Sequence, residues 1–162
     1  MILTLLLGAA LRAAMLLSGK SLWGDEIYSL DFSLGRSAAE ILQFCIKTNH
    51  PPLYYFFLNG AARLFGEHET VFRSLSFVPG VLAVWVIYRV ARQLAGRRAA
   101  IGAAWFAAIS PYLLQMSNEI RAYSLVAMLS SLTVYFFLKA ERKDKYIPAY
   151  MFLCVTLPFV EH

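Results

Sequence analysis

Long apolar runs, interrupted by clusters of arginine and lysine, decide what this chain can fold into. Residues 71–94 are apolar for long enough to cross a bilayer, which takes about 20 residues of helix. The stretch closes on Arg89, Arg92, Arg97 and Arg98 with no acid among them. Residues 99–116 and 122–138 are apolar runs of the same kind. Lys139-Ala140-Glu141-Arg142-Lys143-Asp144-Lys145 forms a second basic cluster, and 147–160 is a last apolar run. Only 15% of the 162 residues are charged, against 59% hydrophobic, whereas a water-soluble domain carries about 25% charge. This is the composition of a membrane protein. The net charge of +5 is not a nucleic-acid signal, because the basic residues lie between apolar runs, where the positive-inside rule places them.

The amino-terminal run Ile2–Leu17 is interrupted by Arg12 and has no basic region before it, so it reads as a retained span rather than a removable signal. It is short for a crossing. Either it extends toward Ser21 with Arg12 packed inward or snorkelling, or the true start lies upstream. Ser18-Gly19-Lys20-Ser21 is a polar turn, after which Asp25 and Glu26 open a weakly amphipathic helix to about Leu34, ended by Gly35. Ser37 with Glu40 three residues later is a capping-box pattern for the next helix, whose stripe of Ile41, Leu42, Cys45 and Ile46 lies against the bilayer surface or the bundle. Pro51 and Pro52 break the chain, and a new helix can begin at Pro52. Leu53–Phe65 is too short to cross and is expected to be re-entrant or juxtamembrane. If it crossed, with the first span still running outward, the arginine-rich loop would be external, against the charge rule.

The expected fold is therefore an all-α, polytopic transmembrane helix bundle, one domain over residues 1–162. It would have five crossings, the amino terminus inside, and juxtamembrane helices in the first extracytoplasmic loop. This parity gathers Asp25, Glu26, His50, Glu119 and Arg121 on the non-cytoplasmic side. Adjacent residues at a helix start point in different directions, so Asp25 and Glu26 are assigned separate roles, one toward substrate and one toward a partner or cation. His50, held by two prolines, is either a substrate or cation contact or a loop histidine in water. Glu119 and Arg121 could pair with each other or with lipid phosphate. Alternatively Arg121 grips a substrate phosphate and Glu119 completes a carboxylate cluster with Asp25. Tyr54, Tyr55, Phe56 and Phe57 read first as interfacial packing, with a sugar platform as the alternative. Gly80 after Pro79 marks a kink or a close helix contact, and Gly96 a turn. Cys45 and Cys154 are too far apart in sequence for a local redox motif, and phosphate-loop, dinucleotide and nucleophile-elbow patterns are missing.

Ser21-Leu22-Trp23-Gly24-Asp25-Glu26, His50-Pro51-Pro52-Leu53-Tyr54-Tyr55, Arg73 at the start of a span, Ser110-Pro111 and Glu119-Ile120-Arg121-Ala122-Tyr123 together resemble the GT-C superfamily of membrane glycosyltransferases. The likeness is to the protein O-mannosyltransferase and aminoarabinose transferase-like branch. The resemblance implies transfer of a sugar from a polyprenyl-phosphate carrier to an acceptor at the extracytoplasmic face of the inner (plasma) membrane. It implies Asp25 as catalytic carboxylate with Glu26 beside it, and His50, Tyr54, Glu119, Arg121 and Tyr123 as substrate-binding residues. Glu119 and Arg121 would lie near metal or lipid phosphate; no ligand set is implied, and a divalent cation is the one cofactor left open. Partners would be the lipid-linked donor and membrane lipids, with no nucleic acid. Members of the superfamily carry many more spans, so this chain is expected to be the amino-terminal part of a longer module. The competing function is a non-enzymatic scaffold or transporter fragment. Acids in loops rather than mid-span favour surface chemistry over transport.

Overall fold

The computed structural model describes residues 1–19 and 21–160. Lys20, in the expected polar turn, and the last two residues lie outside the described residues. Over the described residues the chain is all α: α1 (Ile2–Leu17), α2 (Gly24–Asp31), α3 (Ala38–Thr48), α4 (Leu53–Phe65), α5 (Glu69–Ile109), α6 (Pro111–Met116), α7 (Tyr123–Ala140) and α8 (Ile147–Thr156). Short 3-10 turns at Asp144–Tyr146 and Leu157–Phe159 flank α8.

Local chemistry accounts for most boundaries. The α3 capping box forms as its sequence dictates. Glu40 Oε2 accepts from the Ser37 backbone N–H at 2.7 Å, and Ser37 Oγ accepts from the Glu40 N–H at 3.3 Å. Asn49 ends α3 in the left-handed region at φ 56°, and α4 starts after Pro52. The polar side chains of α4 hold the turn that follows α2: Asn59 Nδ2 donates to the carbonyls of Ser33 (2.5 Å) and Arg36 (3.1 Å), and Arg63 adds a bond to Arg36 O at 2.9 Å. Two boundaries differ from expectation. The α2 helix stops at Asp31, not near Leu34, because the chain turns through 32–35 to Gly35 at φ 66°. The run 99–116 is two helices. Ser110 leaves the helical region at ψ 119°, as a residue before proline tends to, and α6 restarts at Pro111.

The long helix α5 is a hairpin. Gly96, at φ 79° and ψ −173°, breaks it into arms 69–95 and 97–109, a conformation that a Cβ would strain. The arms fold back on each other, with Val84 and Tyr88 of the first sharing an apolar cluster with Ala100, Ala104, Ala107 and Ala108 of the second. Met1 and Leu5 of α1 pack onto that cluster. The α1 face that meets the second arm is the stripe Thr4, Gly8, Arg12, four residues apart and buried throughout. Small residues let the backbones approach, and a Cβ on Gly8 would stand 3.2 Å from that of Ala108.

Of the two positions offered for Arg12, the inward one is occupied. Its guanidinium is completely buried and donates to Ser117 Oγ (3.0 Å) and to the carbonyls of Gly8 (3.0 Å), Ala108 (3.2 Å) and Ala107 (3.3 Å). Arg12 thus ties α1 to the second arm of α5 and to the loop after α6. Gly80 makes room for the same loop: a Cβ there would lie 2.7 Å from Ser117 Cβ and 3.4 Å from Arg12 Nε. Gly80→Ala is expected to destabilise the fold by about 1–3 kcal/mol, the usual cost of overpacking. Gly102→Ala, which meets nothing within 4 Å, should be neutral or stabilise by up to about 1 kcal/mol through helix propensity. Thermal unfolding of the two variants in detergent checks the opposite signs.

Among the described residues two helices, α5 and α7, are long and apolar enough to cross a membrane. Only 11% of the apolar window of α7 is buried within the chain, so most of that surface faces outward. The α1 helix, with 16 residues, and α8, with 10, are shorter than a full crossing. Exposed Phe152, Val155 and Met151 on α8 and Ile2, Leu3 and Leu6 on α1 leave both helices with apolar outer faces. Beside α5 and α7, the cluster of Tyr54, Leu58, Phe72, Ile120, Ala122, Leu125 and Val160 joins α4, α5, α7 and the chain end. It forms the floor of the polar region described next.

Candidate functional site

The two adjacent acids at the start of α2 turn to different partners. Glu26 is completely buried, and its carboxylate meets Arg73 of α5 through Oε1 at 2.9 Å and Oε2 at 3.4 Å. Oε1 also accepts from the Ile120 backbone N–H at 2.9 Å, and Oε2 from the Trp23 N–H at 3.3 Å. Arg73, only 4% exposed, further donates to Glu69 Oε1 at 2.7 Å, one helical turn back, and to the Asn118 carbonyl. One charge pair therefore clamps the first loop, the start of α5 and the loop 117–122 together. Its geometry gives Glu26 a holding role.

Asp25 stays half-exposed at 51% and pairs with Arg121 across 3.2 Å. Arg121 is oriented from its own loop: Nη2 donates to Tyr123 Oη at 3.1 Å, and the guanidinium lies 5.3 Å from the centre of that ring. Its backbone carbonyl is fixed by Ser76 Oγ, which donates at 3.0 Å. Since that proton is used, the Tyr54 hydroxyl is the donor in its 3.1 Å bond to Ser76 Oγ. Burial pushes the Tyr54 phenol well above its ordinary pKa, with the Ser76 bond acting in the opposite sense, so it remains protonated.

His50 lies across the same pocket. Its Nδ1 donates to the Thr48 carbonyl at 3.0 Å, which leaves Nε2 as the other ring nitrogen for a ligand. Tyr28, Phe44 and Tyr55 surround the imidazole with ring centres 6.0 to 6.2 Å away. Ser29, His50, Pro51, Tyr54, Tyr55 and Arg121 line a small pocket of about 20 Å³. On the other side of Tyr54, an apolar groove runs past Phe57, Leu75, Val78, Pro79 and Leu125.

Residues 49–159 match a family model described as dolichyl-phosphate-mannose-protein mannosyltransferase. The chain belongs to that family. No curated protein and no solved structure matches it. The mannosyltransferase match contains His50, Tyr54, Arg73, Glu119, Arg121 and Tyr123, while Asp25 and Glu26 precede it. The ion pairs Glu26–Arg73 and Asp25–Arg121 are what join the earlier acids to the matched region.

Of the residues singled out in the sequence, Asp25, Arg121 and Tyr123 form one connected group, and His50 and Tyr54 meet Arg121 around the pocket. Glu119 does not line that pocket. It is buried at 3% exposure, and its Oε1 accepts from Gln115 Nε2 at 2.8 Å. Among the described residues no three His, Cys, Asp or Glu side chains gather closely enough to hold a metal ion. Arg73 and Ser76 are the members that single-residue reasoning did not assign to the site. Arg73 was visible as a lone cation at the start of a span, but its partner stands 47 positions away. Ser76 carried no signal at all.

Proposed function

We propose that this chain carries the donor end of an enzyme that transfers a sugar from a polyprenyl-phosphate carrier to an acceptor at the extracytoplasmic face of the inner membrane. The observation behind this reading is the position of Tyr54, which lines both the polar pocket with Arg121 and the apolar groove along α4 and α5. A lipid phosphate has those two parts, a charged head and a hydrocarbon tail joined directly. The donor in the family's description, dolichyl-phosphate-mannose, is of that chemical class. The topology that accompanies the proposal has five crossings, with Arg97 and Lys143 cytoplasmic and Asp25 and Arg121 outside.

In this mechanism Arg121 exchanges its Asp25 partner for the donor phosphate, which accepts charge-assisted bonds from the guanidinium. The freed Asp25 carboxylate takes the proton from the acceptor hydroxyl as that oxygen attacks the anomeric carbon. The bond from the anomeric carbon to the phosphate oxygen breaks, the lipid phosphate leaves with the electron pair, and the configuration inverts. Arg121 faces the charge that builds on the departing phosphate.

The test is transfer of labelled sugar from polyprenyl phosphate in membranes that contain the full chain. Arg121→Ala should raise the donor KM at least about tenfold, since a hydrogen bond to a charged group is worth more than a decade in affinity. An unchanged donor KM in that variant overturns the phosphate assignment. No transfer by the full-length protein that contains this chain leaves the scaffold reading in its place.

A further inference from the structure

Far from this site, the same two long helices enclose a second polar cavity that the proposed transfer does not use. Arg89, Arg92 and Gln93 of α5 and Tyr135, Lys139 and the nearby Arg142 line it, and its volume is about 540 Å³. Arg89 lies about 24 Å along α5 from Arg73 at 1.5 Å per residue, so the cavity belongs to the opposite end of the hairpin. Four cations and no acid line it.

Aromatic rings hold two of those cations, Arg89 and Lys139, in place without neutralising them. The Arg89 guanidinium lies 5.1 Å from the Trp85 ring centre and 5.4 Å from that of Tyr135, and it donates to Tyr135 Oη at 2.8 Å. The Lys139 ammonium lies 5.0 Å from the Tyr135 ring and 4.6 Å from that of Tyr146. The ion pairs among the described residues are Glu26–Arg73, Glu69–Arg73 and Asp25–Arg121, none of which touches this cavity. In addition, the amide nitrogen of Gln93 is buried with no hydrogen-bond acceptor.

Gathered like charges repel, and a buried donor without an acceptor is costly. One ligand relieves both: an anion with several acceptor oxygens on a small centre, close to arginine forks that suit it. We propose that this cavity is a phosphate-binding site, occupied either by a phosphate-bearing lipid headgroup or by a free phosphate compound. Arg89, Arg92, Lys139 and Arg142 supply the charge, and Gln93 supplies a neutral donor.

The experiment uses the full chain in phosphatidylcholine nanodiscs, with tryptophan fluorescence as the readout because Trp85 stacks on Arg89. Phosphatidic acid is incorporated into the nanodiscs in one arm, and inorganic phosphate is titrated in the other. A response to phosphatidic acid alone identifies a headgroup site, and a response to inorganic phosphate identifies a soluble ligand. Arg89→Gln with Arg142→Gln should weaken the responding probe at least about tenfold. Gln93→Glu, which places an anion among the cations, should abolish the response without removing any cation. Arg97→Gln with Arg98→Gln, an equal loss of charge outside the cavity, should leave it unchanged. Absence of any response overturns the proposal, as does equal weakening by the two double variants, which would mean diffuse charge attraction.

Discussion

Asp25→Asn slows sugar transfer by about 10²- to 10⁴-fold, the usual cost of removing a positioned proton-transfer group, and leaves membrane insertion unchanged. Asparagine keeps the size of the side chain and can still accept a hydrogen bond, but it cannot take the proton of an acceptor hydroxyl. The substitution separates chemistry from folding because Asp25 is half-exposed and its ion pair to Arg121 is of the solvent-facing kind that contributes about 0–1 kcal/mol. The effect should fall on kcat, whereas Arg121→Ala acts on donor KM. The measurement is transfer of labelled sugar from polyprenyl phosphate in membranes with matched amounts of the two proteins. Transfer at the unaltered rate would remove Asp25 as the base and move the role to Glu26 or Glu119.

The largest loss of stability is expected at the neighbouring acid. Arg73→Met leaves the buried Glu26 carboxylate without its cation, which costs about 3–5 kcal/mol; Glu26→Gln costs less, because Arg73 keeps Glu69 at 2.7 Å. At roughly 2–4 °C per kcal/mol for a chain of this length, Tm of the Arg73→Met variant in detergent should fall by about 10 °C. Replacing both charges, Glu26→Leu with Arg73→Met, should recover part of the loss, since no uncompensated charge remains. Recovery stays partial because the Trp23 and Ile120 amides lose their acceptor and the Asn118 carbonyl loses its donor. If the single variants melt like the unaltered chain, the clamp does not hold the loops together.

What could be read from the sequence was local. The capping box at Ser37, the start of α4 after Pro52, the break at Gly96 and the divergence of Asp25 from Glu26 all follow from residues within a few positions of each other. Each is a short-range rule of capping, proline geometry or helical periodicity. What escaped depends on contact across the chain. Arg12 could have gone inward or outward, and the choice was made by Ser117 and the carbonyls of the second α5 arm, about a hundred residues later. Likewise nothing near Asp25 announced that its carboxylate would go to Arg121, far along the chain. The break at Ser110 was legible in principle from Pro111, but the apolar run on either side masked it.

The loop 117–122 behaves as part of the interior. Ser117, Asn118, Glu119 and Ile120 are all at most 5% exposed, and the polar backbone atoms of the loop end on Glu26, Arg73 and Ser76. Most connecting segments stay wet and supple, so a ligand that docks on them must first freeze them. Here that freezing took place when the chain folded. In the proposed transfer the guanidinium of Arg121 waits in a fixed mount, and the donor phosphate would be spared the ordering penalty of about 0.5–1.5 kcal/mol that each immobilised side chain otherwise exacts. Rigidity of this kind also narrows tolerance: an anion displaced by an ångström meets a mount that does not bend to follow it.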